Sequence, residues 1–74
     1  MNCDKALFVE GIFSQCLAFM IPCIAQAVYV RVADGEAQRE LVTIYFENGF
    51  SRVIDVTGMD LPQTALAVLR KFEG

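Results

Sequence analysis

The sequence predicts an α+β fold: one small domain over residues 1–74, in the order α-β-β-β-α, with a three-stranded antiparallel meander packed by helices. Three observations lead there. Apolar residues recur at three-four spacing near both ends of the chain, whereas the middle alternates in steps of two. Pro22 divides the uncharged run 11–30 into halves of different periodicity. Asn48-Gly49 lies between two β-rich runs, where a hairpin turn belongs.

The first helix is expected over residues 4–20, with Asn2 or Asp4 as its N-cap. Val9, Ile12, Phe13, Cys16, Leu17 and Met20 make its apolar stripe, and Phe8 and Phe19 widen it. Pro22 disfavours helix at the residue before it and has no N–H to donate. Beyond it, Ala27-Val28-Tyr29-Val30-Arg31-Val32 alternates with β-branched residues and reads as a buried first strand.

Two other readings of run 11–30 compete with helix, turn and strand. It has roughly the 20 residues that cross a bilayer, and Ala25-Gln26-Ala27 has the small-x-small form of a signal-peptide cleavage site. Ser14, Gln15, Pro22, Gln26 and Tyr29 interrupt a span, and no basic cluster follows to orient it. Ahead of the run, Asp4 and Glu10 face a single Lys5, where a signal peptide carries net positive charge. A membrane location is not expected.

Asp34-Gly35 marks the next turn. A three-residue loop here would set Val28 and Val30 beside Val42 and Ile44, and a two-residue loop would flip that face; the three-residue form is expected because it gathers the valines. The second strand spans residues 39–47, rich in Leu41, Val42, Thr43, Ile44, Tyr45 and Phe46. A two-residue type I′ turn at Asn48-Gly49 would pair Glu47 with Phe50, Tyr45 with Arg52, Ile44 with Val53 and Thr43 with Ile54. One face then collects Val42, Ile44, Phe46 and Val53, and the other Leu41, Tyr45, Phe50, Ile54 and Val56. Both are partly apolar, so either helices cover both faces or one face meets another molecule.

The third strand, residues 50–56, ends at Thr57-Gly58. Asp60-Leu61-Pro62-Gln63 has the form of a capping box, and Pro62 fits the first helical turn. Leu61, Ala65, Leu66, Val68, Leu69 and Phe72 give the last helix its apolar stripe, and Arg70 and Lys71 suit its negative end.

Composition narrows the function. The net charge is −3 and the six basic residues are scattered, which opposes direct binding to nucleic-acid phosphates. The acids form only a loose group at Asp34, Glu36 and Glu40, so no DNA-mimicking stripe is expected. The chain has no histidine, which removes Ser-His-Asp and Cys-His arrangements and the HExxH zinc motif. Its five glycines make neither a P-loop nor a dinucleotide fingerprint. Cys3, Cys16 and Cys23 are odd in number and wrongly spaced for a zinc or CxxC site. They are expected to be buried free thiols, which suits a reducing cytoplasm. No catalytic residue, cofactor or metal is assigned, and the chain is not expected to be an enzyme.

A body of 74 residues that is 55% hydrophobic carries more apolar surface than it can hide. A protein partner or a homodimer is therefore expected. Tyr29, Tyr45, Phe50 and Arg52 are candidate partner contacts, because aromatic and Arg side chains are enriched in interface hot spots. Tyr45 and Arg52 are expected as cross-strand neighbours, and Asp34, Glu36 and Glu40 could meet a basic partner surface. Phe8, Phe13, Phe19 and Met20 are the candidates for self-association.

Small size, acidity, a three-stranded meander flanked by helices and the segment Ile44-Tyr45-Phe46-Glu47-Asn48-Gly49-Phe50 make the chain resemble phage and mobile-element inhibitors of the anti-CRISPR type. The resemblance is one of type over residues 27–74, and no functional residue carries over. It implies a steric inhibitor that occupies the nucleic-acid-binding or nuclease surface of a Cas effector. The alternatives are a homo-oligomeric accessory protein and a small membrane-associated protein.

Overall fold

The N-terminal helix begins as an α-helix, loosens for one turn and tightens again. In the computed structural model, which describes residues 3–72, α1 (Cys3–Phe8) runs into a π-helical turn (Val9–Phe13) and on into α2 (Ser14–Met20). The loosened turn decides which side chains go inward. In an α-helix, residues four apart overshoot one face by about 40° per step; a π turn winds more slowly and takes up that drift. Val9, Phe13 and Leu17, four apart, are therefore all buried on one face. Ile12, Cys16 and Met20, expected on the same stripe, are exposed instead, and so is Phe19. Asp4 lies within α1 and is not its cap; Asn2 lies outside the described residues.

Ile21 leaves the helix with extended backbone angles, its N–H still bonded to the Leu17 carbonyl at 2.7 Å. The chain turns at Pro22-Cys23 into β1 (Ile24–Asp34), which pairs antiparallel with β2 (Ala37–Phe46), and β2 pairs antiparallel with β3 (Ser51–Asp55). The sheet order is β1-β2-β3, and α3 (Leu61–Arg70) closes the chain, giving the α+β order α-β-β-β-α. A register irregularity between Ile24 and Gln26 breaks the start of β1. Among the described residues no helix is long and apolar enough to cross a membrane. The Ala25-Gln26-Ala27 triplet is part of β1.

Both hairpin loops differ from the expected length by one residue, in opposite directions. Asp34 pairs with Ala37, so the first loop has two residues, Gly35 and Glu36. Gly35 takes φ +66° and Glu36 a negative φ, the pattern of a type II′ turn. The second loop has three residues. The Phe46 N–H donates to the Phe50 carbonyl at 2.8 Å across Glu47, Asn48 and Gly49, and only Gly49 has positive φ, at +94°. A type I turn followed by a left-handed glycine is the three-residue hairpin; the type I′ form would need positive φ at Asn48 as well.

Each one-residue change turns a whole strand over. Val42 lies opposite Tyr29 and Ile54, and Ile44 opposite Ala27 and Arg52. Val28, Val30 and Val53, expected beside Val42 and Ile44, belong to the other face. Strand β1 is accordingly not buried along its length: only Ile24 and Ala27 are.

One core results. Val9, Phe13 and Leu17 from the first helix, Ile24 and Ala27 from β1, Val42 and Ile44 from β2, and Ile54 and Val56 pack with Val68 of α3. Both helical layers thus lie on the same face of the sheet. The Asp60 cap forms as expected: its carboxylate accepts from the Gln63 N–H at 2.8 Å, and Gln63 Oε1 accepts from the Asp60 N–H at 3.2 Å. Thr64 and Val68 supply the buried stripe of α3, whereas Leu66, expected on it, is exposed.

Candidate interaction surface

The face of the sheet away from the helices carries the strand residues that alternate with the core set. Along β1 these are Val28, Val30 and Val32; along β2, Leu41, Thr43 and Tyr45; on β3, Val53. Register sets them side by side: Val28 opposite Thr43, Val30 opposite Leu41, and Thr43 opposite Val53. Val30 is 40% exposed, Val32 41%, Tyr45 44% and Val53 56%, values of side chains that no other element covers. An antiparallel sheet with one solvated face normally turns polar residues outward. This one turns out β-branched and aromatic residues.

Charge on this face is confined to its rim, where the single Arg39 stands between two carboxylates, Asp55 and Asp34, for a net charge of −1. The Arg39 guanidinium donates to Asp55 Oδ2 from Nε at 3.2 Å and from its terminal nitrogen at 2.7 Å, and lies 3.9 Å from Asp34. Asp55 also accepts from the Thr57 hydroxyl at 2.6 Å and the Thr57 N–H at 2.9 Å. Those Thr57 bonds, with Arg39 beside them, hold the Asp55 carboxyl well below the usual carboxylate range.

The opposite face holds a polar node beneath the first helix. Glu40 accepts from Lys5 Nζ at 2.9 Å, from the Gly58 N–H at 2.9 Å and from the Tyr29 hydroxyl. Burial pushes the Glu40 carboxyl up, but the bonds from Tyr29, Lys5 and Gly58 outweigh it and hold it down at about 2. Burial, followed by the bond to Glu40, pushes the Tyr29 phenol up to about 12. Glu10 accepts from the Tyr29 N–H at 2.9 Å. That bond occupies a backbone donor on the outer side of edge strand β1, where a bare N–H would invite another strand.

The structure separates the residues singled out as partner contacts. Tyr29 and Glu40 are bonded to each other on the helix-covered face. Asp34 and Glu36 are exposed at the tip of the first hairpin. Phe50 is 72% exposed and lines a shallow depression at the second hairpin with Cys23, Phe46 and Arg52. Arg52 is not a neighbour of Tyr45. Tyr45 pairs with Ser51, and Arg52, on the helix side, donates to the Lys71 carbonyl at 3.2 Å. Of the seven, Tyr45 stands on the open face and Asp34 at its rim.

The self-association set divides too. Phe13 is buried in the core, and Phe8 stacks on it with ring centroids 5.2 Å apart, so neither is free to meet another molecule. Phe19, at 91% exposure, and Met20 remain on the solvent side of the helix with Leu7 and Ile12. Cys16 and Cys23 are free and exposed rather than buried, Cys16 turned outward past the π turn and Cys23 on the turn after Pro22. Sequence reasoning missed Val28, Val30, Val32, Leu41, Thr43 and Val53 as residues of the face away from the helices. Their alternation was visible, but the register that decides inside from outside was not.

Comparisons with protein-family models, with curated proteins and with solved structures find no match.

Proposed function

We propose that the chain is a non-enzymatic protein-binding module that works through the open face of its sheet. The observation that carries this reading is the row of exposed Val30, Val32, Tyr45 and Val53 with half-buried Val28 and Leu41 between them, contiguous by register and flanked by the Arg39–Asp55 pair. Contiguous apolar surface on a small domain marks a place of contact. The groups best suited to proton transfer are held in structural roles: Glu40 binds Lys5, Tyr29 and the Gly58 N–H, and Asp55 binds Arg39 and Thr57.

In the inhibitor form that the anti-CRISPR resemblance implies, the module acts sterically. The apolar face would lie on a larger protein, such as a Cas effector, and exclude its nucleic acid. Imitation of DNA is the weaker form of that idea, since Glu40 and Asp55 are already paired with cations.

The test compares capture from a bacterial lysate by the wild-type chain and by a Tyr45→Glu variant, followed by a nuclease assay on any effector recovered. A partner held by wild type and lost from the variant supports the reading. Equal capture by both removes the open face from the function.

A further inference from the structure

We infer that the open sheet face is where a second copy of this chain packs, face to face, to form a two-fold symmetric dimer. This rests on the reading of that face as a contact surface and names its occupant in the free protein; a larger partner would have to displace the second copy, since one face holds one of them at a time.

Three features select a second copy. The first is shape. The face is a sheet surface with side chains standing off it, and two such faces interdigitate at about 10 Å separation in sheet-on-sheet packing. Its centre, Val28, Val30, Leu41, Thr43 and Val53, is built from short and β-branched side chains that suit this layer.

The second is charge. The chain carries a net −3, so two copies repel over most of their surfaces. The open face carries only −1 of that charge, at its rim, where Arg39 offsets one of the two carboxylates Asp55 and Asp34, so it is where two copies meet with less repulsion. A single surplus carboxylate at the rim gives a strongly basic partner little to recognise there. Self-contacts are the more apolar class of interface.

The third is area. Ten paired residues on β1 and β2 and five on β3, at about 3.3 Å rise and 4.8 Å strand spacing, project to roughly 400 Å². Side-chain relief raises the accessible area above that projection, so a pair of copies removes on the order of 1,000 Å² from water, the low end of specific interfaces. The dimer is therefore a reversible one whose population depends on concentration.

Sedimentation equilibrium from micromolar to millimolar chain tests this, using wild type, a Val30→Glu/Val53→Glu variant and a Phe19→Glu variant, with far-ultraviolet circular dichroism to check folding. The expected result is a mass rising from one chain to two in wild type and in Phe19→Glu. In the open-face variant, with native dichroism, association should weaken by at least about tenfold, since glutamates would be buried without partners. A wild type that stays monomeric at millimolar concentration overturns the dimer. The protein-binding reading is then judged separately, by whether lysate capture is still lost in Tyr45→Glu. Association that survives in the open-face variant but vanishes in Phe19→Glu also overturns it and assigns the contact to the first helix. If the glutamate variant does not fold, single cysteines decide in a chain whose three native cysteines are serine. Thr43→Cys should be joined into dimers by a bismaleimide linker and Ile12→Cys should not; the reverse pattern, or no dimer from either, overturns the proposal.

Discussion

The Tyr29 hydroxyl donates to the Glu40 carboxylate across the β1–β2 ladder, although the two are not register partners: Tyr29 lies opposite Val42 and Glu40 opposite Arg31. They are diagonal neighbours on one face, within reach because the phenol is long. The contact joins a wider knot. Lys5 brings α1 to Glu40, and the Gly58 N–H brings the loop that follows β3. The Glu40 N–H and carbonyl bond Thr57 Oγ1 and the Val56 N–H.

Glu40→Gln keeps the size of the side chain but leaves Lys5 without its counter-charge. It should cost about 1.5–3 kcal/mol, the range for hydrogen bonds to charged groups. The pH dependence follows from the direction of each shift. Glu40 sits at about 2 against an ordinary 4.5, so its contribution is complete above pH 4.5 and is lost as pH falls toward 2. Tyr29 is raised to about 12 from 10, so its contribution is complete below pH 10 and is lost as pH rises toward 12. Urea melts across both windows should show a shallower acid limb in Glu40→Gln than in wild type. Asp55 titrates in both proteins, so the difference between them is the measurement. Equal acid slopes would mean that the knot contributes nothing.

Thr64 is buried in α3, and its hydroxyl has no hydrogen-bond partner among the described residues. A buried unpaired hydroxyl costs about 1–3 kcal/mol of desolvation. Thr64→Val removes the hydroxyl at nearly constant shape, so it should raise stability by about 1 kcal/mol. The signature is a higher urea midpoint with an unchanged slope. A lower midpoint would show that the hydroxyl has a partner.

The same substitution at two glycines should act with opposite sign. Gly49 holds φ +94°, and an alanine there is strained by about 1–2 kcal/mol. Gly11 lies in the π-helical turn without positive φ, and a Cβ built on it meets nothing within 4 Å. Gly11→Ala should therefore stabilise by about 0.4–1 kcal/mol through the unfolded chain. Thermal melts of the two single variants test the contrast; shifts of the same sign would contradict the assigned backbone at one of them.

Phe13 and Phe19 share a helix and a residue type but not a role. Phe13 is 5% exposed and Phe19 91%. Phe13→Ala should cost about 3–5 kcal/mol, a large share of the roughly 4–11 kcal/mol expected of a domain this small. Phe19→Ala, measured at low concentration, should stay within about 0.5 kcal/mol of wild type. A large loss from Phe19→Ala in dilute monomer would place that ring in the core.

Much of the fold is legible locally. Pro22 ends the first helix, the Asp60–Gln63 box starts the last, and alternation from Ala27 onward marks strands, because each signal acts within a few residues. The candidate site is far less legible. Of the residues singled out as contacts, Tyr45 stands on the open face, whereas Tyr29 and Glu40 satisfy each other and Arg52 faces the helices. Polar and aromatic side chains advertise themselves in a sequence; plain valines do not, and four valines and Leu41 make most of this surface.

The sequence by itself determined the elements, their order and the cap of the last helix, through proline geometry, capping and periodicity that need no distant partner. Only the tertiary structure decided which way the strands face. Gly35 and Gly49 each permit loops of two or three residues, and side chains alternate with a period of two, so a single residue inverts a strand. The choice was made by packing. With both outer strands turned, Ala27, Tyr29 and Ile54 meet Val42 and Ile44 beneath the helices. Val28, Val30 and Val53 are left on the face away from the helices, the one proposed as a contact surface.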